Sequence, residues 1–188
     1  FNAGNYNTAI SQSASAELIS KILYPNDNHT EGKILRLRQQ YFFSAASIAD
    51  ILQNHLNQYG TLDNLADKVA IQLNDTHPTV AIPEMMRILL DECSYEWDAA
   101  FDICRKVFAY TNHTVMSEAL EKWNADIFRN TLPRIWQIVC EMDRRCRADL
   151  AKAFPGDQGK IDYMAIIGDN QVRTANICAY TCHAINGV

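Results

Sequence analysis

Apolar residues recur at helical spacing in two long segments of the first third of the chain. From Thr8 to Leu23 they lie three or four positions apart and Pro25 closes the run, which predicts an amphipathic helix. From Lys33 the same spacing continues to Gly60, a residue type that commonly ends helices. Two helices are therefore predicted, joined by the loop YPNDNHTEG, and the length of the second indicates a buried helix within a larger body.

Two short runs rich in β-branched and aromatic residues predict strands, VAIQL at 69–73 and VFAYT at 107–111. Between them, a helix is predicted from Pro83 to Glu92, and SYEWDAAFDICRK predicts another with Ser94 as its N-cap. Each strand is followed at once by polar residues, NDTHP and NHT. In open α/β sheets ligands bind at the carboxyl ends of strands, although Asn, Asp and Pro also favour ordinary turns there.

The rest of the chain is predicted to be mainly helical. Residues 117–123 predict a short helix, and residues 125–154 predict either one helix broken near Pro133 or two in succession. The stretch PGDQGKID at 155–162 predicts a loop, and residues 163–188 predict a further helix. The fold class that follows is α/β and helix-rich.

Composition narrows the function classes. The 188 residues suffice for one domain that buries roughly 70% of the surface its unfolded chain exposes. A net charge of −5, with Lys and Arg dispersed, argues against nucleic acid as a partner. No apolar run approaches the roughly 20 residues of a membrane helix, so no membrane partner is expected. With neither an initiating Met nor a signal peptide, and with a Gly-Val ending, both ends are expected to be cut.

The six cysteines show no C-x-x-C spacing, which indicates reduced thiols and a cytoplasmic location. A helix would bring Cys178, Cys182 and His183 close together, where they could in principle bind a metal. The alternative is that Cys178 and Cys182 simply lie on a small, buried helix face, which accounts for them equally well.

Three polar loops contain the candidate chemistry: residues 26–28 (NDN), 74–77 (NDTH) and 111–114 (TNHT). Carboxylate, amide, hydroxyl and imidazole groups that converge at strand ends suit a sugar, because each sugar hydroxyl needs both donor and acceptor partners. The alternative is three ordinary turns in which Asn and Asp side chains bond their own backbone.

Five blocks of the sequence together resemble one family: FNAGNYNTAI, LYPNDNHTEGKILRLRQQYFFSAAS, VAIQLNDTHPTVAIPEMMRILLDE, FAYTNHTV and EALEKW. In this order and spacing they closely resemble the α-glucan phosphorylases, which act on glycogen, starch or maltodextrin. The resemblance implies that residues 1–188 are part of the N-terminal Rossmann-like domain of a GT-B glycosyltransferase. It also implies pyridoxal 5′-phosphate as cofactor, attached to a lysine of a C-terminal domain outside this chain.

The resemblance further implies phosphorolysis of terminal α-1,4-linked glucose to α-glucose 1-phosphate. The substrates would be an α-1,4-glucan and inorganic phosphate, and the isolated chain is expected to be inactive. Two residues would have catalytic roles. His113 would bind the 6-hydroxyl of the reacting glucose and present its backbone carbonyl near the anomeric carbon, and Asp75 would lie in a polar side pocket beside that carbon.

The remaining implied positions bind substrate. His77 would share the side pocket with Asp75, hydrogen-bonded to it directly or through water, and Asn26 and Thr114 would line it. The loop YPNDN resembles a mobile gate, in which Asn28 would reach a glucose hydroxyl and Asp27 would guard access for phosphate.

The same resemblance implies a homodimer that pairs through the helix of residues 6–23. Two positions depart from the family pattern. His29 stands where an aromatic residue usually follows the NDN triplet, and His183 follows Thr-Cys rather than Gly-Ser, so no role is assigned to His183. Two other functions stay open: a non-catalytic carbohydrate-binding or dimerisation module derived from the family, and a GT-B sugar transferase without pyridoxal phosphate.

Overall fold

The computed structural model describes residues 4–188, so the first three residues of the FNAGNYNTAI block lie outside it. The α-helices are α1 (Tyr6–Lys21), α2 (Thr30–Tyr59), α3 (Leu65–Lys68), α4 (Ala81–Arg87), α5 (Trp97–Val107), α6 (Ala125–Thr131), α7 (Pro133–Ala153), α8 (Gln158–Met164) and α9 (Thr174–Thr181). The strands are β1 (Ile71–Asn74), β2 (Phe108–Asn112), β3 (Lys122–Asn124), β4 (Ile167–Gly168), β5 (Gln171–Arg173) and β6 (Ala184–Gly187). A π-helical turn, Ile88–Glu92, extends α4, and Ser117–Ala119 forms a 3₁₀ turn. The helix-rich α/β class is confirmed.

The two predicted N-terminal helices are confirmed as α1 and α2. Gly60 ends α2 in the left-handed conformation at φ 72°, and its N–H donates to Leu56 O at 2.8 Å. No residue of α1 is buried, and α1 lies against α2, where the Gln39 side chain donates to Ile19 O at 3.1 Å. A helix with no buried residue depends on neighbours for its stability, because propensity alone stabilises little.

β1, β2 and β6 form a parallel sheet in the order β1-β2-β6, with Leu73 opposite Tyr110. The predicted strand at 69–73 begins two residues too early, because Val69 caps α3 by donating to Leu65 O at 2.9 Å. The prediction of a helix over residues 163–188 is wrong, since only the last two residues of α8 and the whole of α9 are helical within it, and β6 closes the sheet. Parallel strands need long crossovers, and α4 with α5 supplies the one between β1 and β2.

A second, antiparallel sheet in the order β3-β5-β4 replaces two predicted helical segments. Trp123 lies in β3 opposite Val172, so the helix predicted over residues 117–123 is wrong beyond its 3₁₀ turn. β4 and β5 are joined by Asp169 and Asn170, both at positive φ (53° and 54°), which is the geometry of a tight hairpin turn. Strands of two and three residues are too short to show periodicity in the sequence.

Two local predictions are corrected by helix-end geometry. The loop predicted at 155–162 contains the first residues of α8, whose N-cap Asp157 accepts from Lys160 N at 2.9 Å. Ser94 is not an N-cap: it has φ 58°, and Tyr95 N donates to Leu89 O at 2.9 Å across it. Ser94 therefore ends the preceding helix, as left-handed residues commonly do, rather than starting α5.

The core lies around α4, whose residues from Ala81 to Met86 are all buried. This helix packs against α2, α5 and α7. The predicted break near Pro133 is confirmed as two helices, because proline is tolerated at the start of α7 but not inside a helix. Asp143 on α7 accepts from Ile167 N and from Arg147 Nε, each at 2.9 Å, and so joins α7 to β4.

One buried carboxylate fixes α2 on α4. Glu84 is 2% exposed and accepts from Tyr41 Oη at 2.9 Å and from Arg87 through two bonds of 2.9 Å. Burial, together with the bond to Glu84, raises the pKa of Tyr41 to about 12. Because a buried charge must be paired, this cluster holds α2 in one position on α4, and α2 also contributes side chains to the candidate site.

Candidate functional site

The carboxyl ends of β1, β2 and β6 lie together at one edge of the parallel sheet. Asn74 is opposite Thr111, and Asn112 is opposite Gly187. Just past the strands, Asp75 N donates to Thr111 O at 2.8 Å and Val188 N donates to Asn112 O at 3.0 Å. The parallel register therefore brings the NDTH and TNHT loops side by side, as the sequence predicted.

Side chains continue this pairing across the strand ends. Gln72 Nε2 donates to Thr111 Oγ1 at 2.7 Å, and Thr111 Oγ1 donates to Asn186 Oδ1 at 3.0 Å. His113 Nε2 lies 2.5 Å from Asn74 Oδ1, and since a carbonyl oxygen only accepts, Nε2 carries the proton. The bond to Asn74, the last residue of β1, orients the His113 ring.

The NDTH turn is closed by its own backbone and side chains. Asp75 has φ 64°, and its carboxylate accepts from Thr76 N at 2.7 Å. Within the described residues it has no direct hydrogen bond to His77. A non-glycine residue at positive φ is uncommon, and such strain often marks functional loops.

A cavity of about 380 Å³ opens beside this edge of the sheet. Four of the predicted site residues line it together: Asp27, Asp75, His77 and Thr114. The other lining residues come from α2, the turn after β1, the 3₁₀ turn with the residues that follow it, and the small antiparallel sheet: Lys33, Arg36, Thr76, Ala119, Glu121, Lys122, Trp123, Asn124 and Gln171. The cavity is thus built where both sheets and α2 meet.

Three predicted site residues do not line this cavity: Asn26, Asn28 and His113. Asn26 Oδ1 accepts from Asn28 N at 3.0 Å, so this pair shapes the 24–28 loop. Asn26 lines a separate groove of about 510 Å³, bounded by residues of α1, α2 and the loop between them. The His113 side chain is directed to Asn74 instead.

Glu121 is the main site residue that the sequence analysis missed. Its side chain is only 16% exposed, and Oε1 accepts from Gln40 Nε2 at 2.9 Å and lies 3.9 Å from His77 Nδ1. Its Oε2 is buried and has no hydrogen-bond partner in the part of the chain that the structure describes. A buried carboxylate oxygen without a donor favours a ligand that supplies one.

Arg36 connects the loop of residues 24–28 with Glu121. Its Nε lies 3.8 Å from Asp27 Oδ2, and its Nη2 lies 3.7 Å from Glu121 Oε1. Lys33 and Lys122 add two cationic groups to the lining, and Asp75 adds an anionic one. The lining therefore contains three carboxylates and three cationic groups, and this charge balance suits a neutral polar ligand. The carboxylates are Asp27, Asp75 and Glu121, and the cations are Lys33, Arg36 and Lys122.

The start of α2 explains the departure at His29. The His29 side chain caps α2, with Nδ1 accepting from Gly32 N at 3.0 Å. A Cβ on Gly32 would lie 1.8 Å from Asn26 O, so the 24–28 loop packs directly on this glycine. His29 thus anchors the loop by capping rather than by aromatic stacking.

Cys178, Cys182 and His183, which could in principle bind a metal, are not grouped as metal ligands in the described residues. Across residues 4–188 no group of three His, Cys, Asp or Glu side chains is placed to hold a metal ion. All six cysteines are free thiols. The same residues include no helix long and apolar enough to cross a membrane.

Comparison with known proteins assigns the family. The family model described as carbohydrate phosphorylase matches residues 1–188, and the chain belongs to that family. It is 44% identical over 191 residues to a glycogen phosphorylase of Chlamydia trachomatis serovar D, covering all of this chain and 24% of that protein. It is 46% identical over 192 residues to the glycogen phosphorylase of Saccharomyces cerevisiae, covering all of this chain and 21% of that protein.

The muscle form of human glycogen phosphorylase is 45% identical over 199 residues, again across all of this chain and 24% of that protein. The chain thus spans between a fifth and a quarter of the length of these relatives. The family resemblance of the five sequence blocks is confirmed.

Proposed function

We propose that this chain forms one wall of the catalytic cleft of a glycogen phosphorylase, an α-1,4-glucan phosphorylase. The complete protein would transfer the terminal glucose of an α-1,4-glucan onto inorganic phosphate and release α-glucose 1-phosphate. The observation that carries the proposal is the charge-balanced cavity at the strand ends, lined by Asp27, Asp75, His77 and Thr114, in a chain of the carbohydrate phosphorylase family.

Residue roles follow from position around this cavity. Asp75, His77 and Thr114 form a polar pocket beside the reacting carbon, and the buried Oε2 of Glu121 accepts from a sugar hydroxyl or a bound water. Asn26 shapes the 24–28 loop, Asn28 binds a glucose hydroxyl when that loop closes, and Asp27, facing Arg36, controls entry of phosphate.

His113 has the second catalytic role. Its side chain binds the 6-hydroxyl of the glucose, and its backbone carbonyl stabilises positive charge that develops at the anomeric carbon. Contacts that strengthen as charge develops lower the barrier rather than only improving binding. The Nε2–H that now donates to Asn74 can donate instead to the sugar oxygen, because Asn74 lies in an exposed position where water can replace the imidazole.

The family implies pyridoxal 5′-phosphate, whose 5′-phosphate group supplies proton transfer. The residues of this chain do not fit its covalent attachment: every lysine in the chain is exposed, so none lies in a pocket that excludes water. We therefore place the attachment lysine elsewhere in the complete protein.

The remaining assignments concern architecture and location. We propose that the parallel sheet belongs to the N-terminal half of a GT-B arrangement in a cytoplasmic enzyme. We also propose that α1 pairs with its copy in a homodimer, because Ile10, Leu18 and Ile22 are 58%, 41% and 42% exposed in this helix region. No nucleic acid partner is proposed.

The test is phosphate-dependent release of glucose 1-phosphate from a maltodextrin by the complete protein, with and without added pyridoxal phosphate. We expect cofactor-dependent product from the complete protein and none from the isolated 188-residue chain. A folded, cofactor-loaded protein that bound maltodextrin without releasing product would instead support the non-catalytic binding module. Product without any cofactor would support a different GT-B transferase.

A further inference from the structure

A pair of thiols lies one helical turn apart behind the candidate site. Cys178 is in α9, and Cys182 follows the last residue of that helix, with Cys182 N donating to Cys178 O at 2.8 Å. Cys178 is fully buried, whereas Cys182 is partly exposed. Among the six cysteines these are the closest pair in the sequence, and neither has a role in the proposed reaction.

The spacing allows a disulfide after a small movement. Residues four apart in a helix have Cα atoms about 6 Å apart, within the range of about 4.4–6.8 Å that disulfides accept. Their Cβ atoms must approach by about 1–2 Å. Cys182 follows the last helical residue and has an extended backbone (φ −69°, ψ 136°), so the helix constrains it less than it constrains Cys178.

The two thiols also differ in accessibility, and the pKa of the buried one is shifted. The hydrogen bond with the Cys182 thiol, followed by burial, raises the pKa of Cys178 well above its ordinary value. Cys178 therefore stays protonated and out of reach, so the partly exposed Cys182 is the thiol that an oxidant meets first.

We propose that Cys178 and Cys182 form an oxidation site for hydroperoxides, which a thiol reductant reverses by thiol–disulfide exchange. In the first step Cys182 attacks the peroxide, its sulfur gains the terminal oxygen as a sulfenic acid, and an alcohol or water leaves. In the second step Cys178 sulfur attacks Cys182 sulfur, the S–O bond breaks, and the Cys178 proton leaves with the hydroxide as water. Two thiols thus lose two electrons in all, and the peroxide takes them.

The disulfide would affect the structure of the candidate site through Thr79. Its Oγ1 lies 3.3 Å from Cys178 Sγ, and its N–H donates to Thr76 O at 3.1 Å in the turn that follows Asp75. Moving Cys178 Sγ toward Cys182 breaks the contact with Thr79. The disulfide would therefore loosen the 75–79 turn, whose residues Asp75, Thr76 and His77 line the cavity.

The test treats the complete protein with hydrogen peroxide, removes the oxidant, alkylates the thiols in denaturant and digests with trypsin. Because no Lys or Arg follows Arg173 up to Val188, both cysteines lie in one tryptic peptide. We expect that peptide to lose both alkyl labels together and to regain both after reduction. Over-oxidation of Cys182 with Cys178 still labelled would overturn the proposal.

Two variants and a second readout complete the test. Cys182→Ser should leave Cys178 fully labelled after peroxide, whereas Cys140→Ser, which removes another partly exposed thiol, should leave the paired loss unchanged. Hydrogen exchange at residues 75–79 should speed up on oxidation in the unaltered protein and not in Cys182→Ser. Disulfide formation with unchanged exchange there would refute the coupling to the site.

Discussion

Gly32→Ala should displace the 24–28 loop while leaving the rest of the fold intact. The added Cβ would lie 1.8 Å from Asn26 O, against the 3.0 Å below which real contacts essentially never fall, so the loop must retreat by about 1.2 Å. Gly32 lies in the first turn of α2 and has no positive φ, so alanine suits its backbone and even favours the helix by about 0.5–1 kcal/mol. The steric effect of the substitution is therefore confined to the contact between α2 and the 24–28 loop.

The loop carries Asp27 and Asn28, so its displacement should reach the chemistry. A misplacement of about 1 Å can cost about 100-fold in rate, and we expect a loss of that order in kcat/KM for glucose 1-phosphate release by the complete protein. Gly159→Ala is the matched control, because its Cβ would meet nothing nearer than 3.8 Å in α8. Normal activity in Gly32→Ala, with the loop shown by hydrogen exchange to have moved, would refute a role for the loop in the site.

Three further predictions concern single side chains. In the complete protein, His113→Ala should lower kcat by about 5- to 150-fold, since an unpaired buried sugar hydroxyl costs about 1–3 kcal/mol; a change in KM alone would contradict the transition-state role. Asp143→Ala should lower the free energy of unfolding in urea by about 1–3 kcal/mol, because it leaves the main-chain N–H of Ile167 without a partner. The control Asp102→Ala, which removes an exposed ion pair with Lys106, should lower it by less than about 1 kcal/mol. Equal losses in the two variants would contradict the prediction. The Arg144 guanidinium lowers the pKa of Glu141 to about 2 from 4.5, so its stabilisation is present above pH 4.5 and lost as the pH falls toward 2. Glu141→Gln should therefore flatten the pH dependence of the unfolding free energy in that window, and an unchanged slope would count against the ion pair.

Helices with a long apolar stripe and the two core strands could be predicted from the sequence, because their signal is local and repeats over many residues. α2 shows this well: Lys33, chosen from the apolar spacing, and Gly60, chosen as a helix-ending residue type, lie within three residues of its observed bounds. The hairpin at Asp169–Asn170 could not be found that way, since its strands contain too few residues to alternate. Ser94 was misread because a left-handed helix end and an N-cap use the same small polar residues.

The candidate site likewise contains residues that could be predicted from the sequence and one, Glu121, that could not. Asp75, His77 and Thr114 could be placed together because polar residues that follow parallel strands meet at one edge of the sheet, whereas Asp27 was found as part of a polar loop and its role came from the family resemblance. Glu121 gave no local signal, because it follows a 3₁₀ turn and reaches the cavity only when the small sheet packs beside α2.

The sequence by itself determined the helix-rich α/β class, the polar strand ends and membership of the carbohydrate phosphorylase family. These depend on periodicity and on motifs within one segment. Only the tertiary structure decided that Glu121 has a buried oxygen without a partner, that Arg36 faces both Asp27 and Glu121, and that the His113 side chain points to Asn74. Each depends on contacts between segments far apart in the chain, and the burial and charge balance that arise there exist only once the elements have packed.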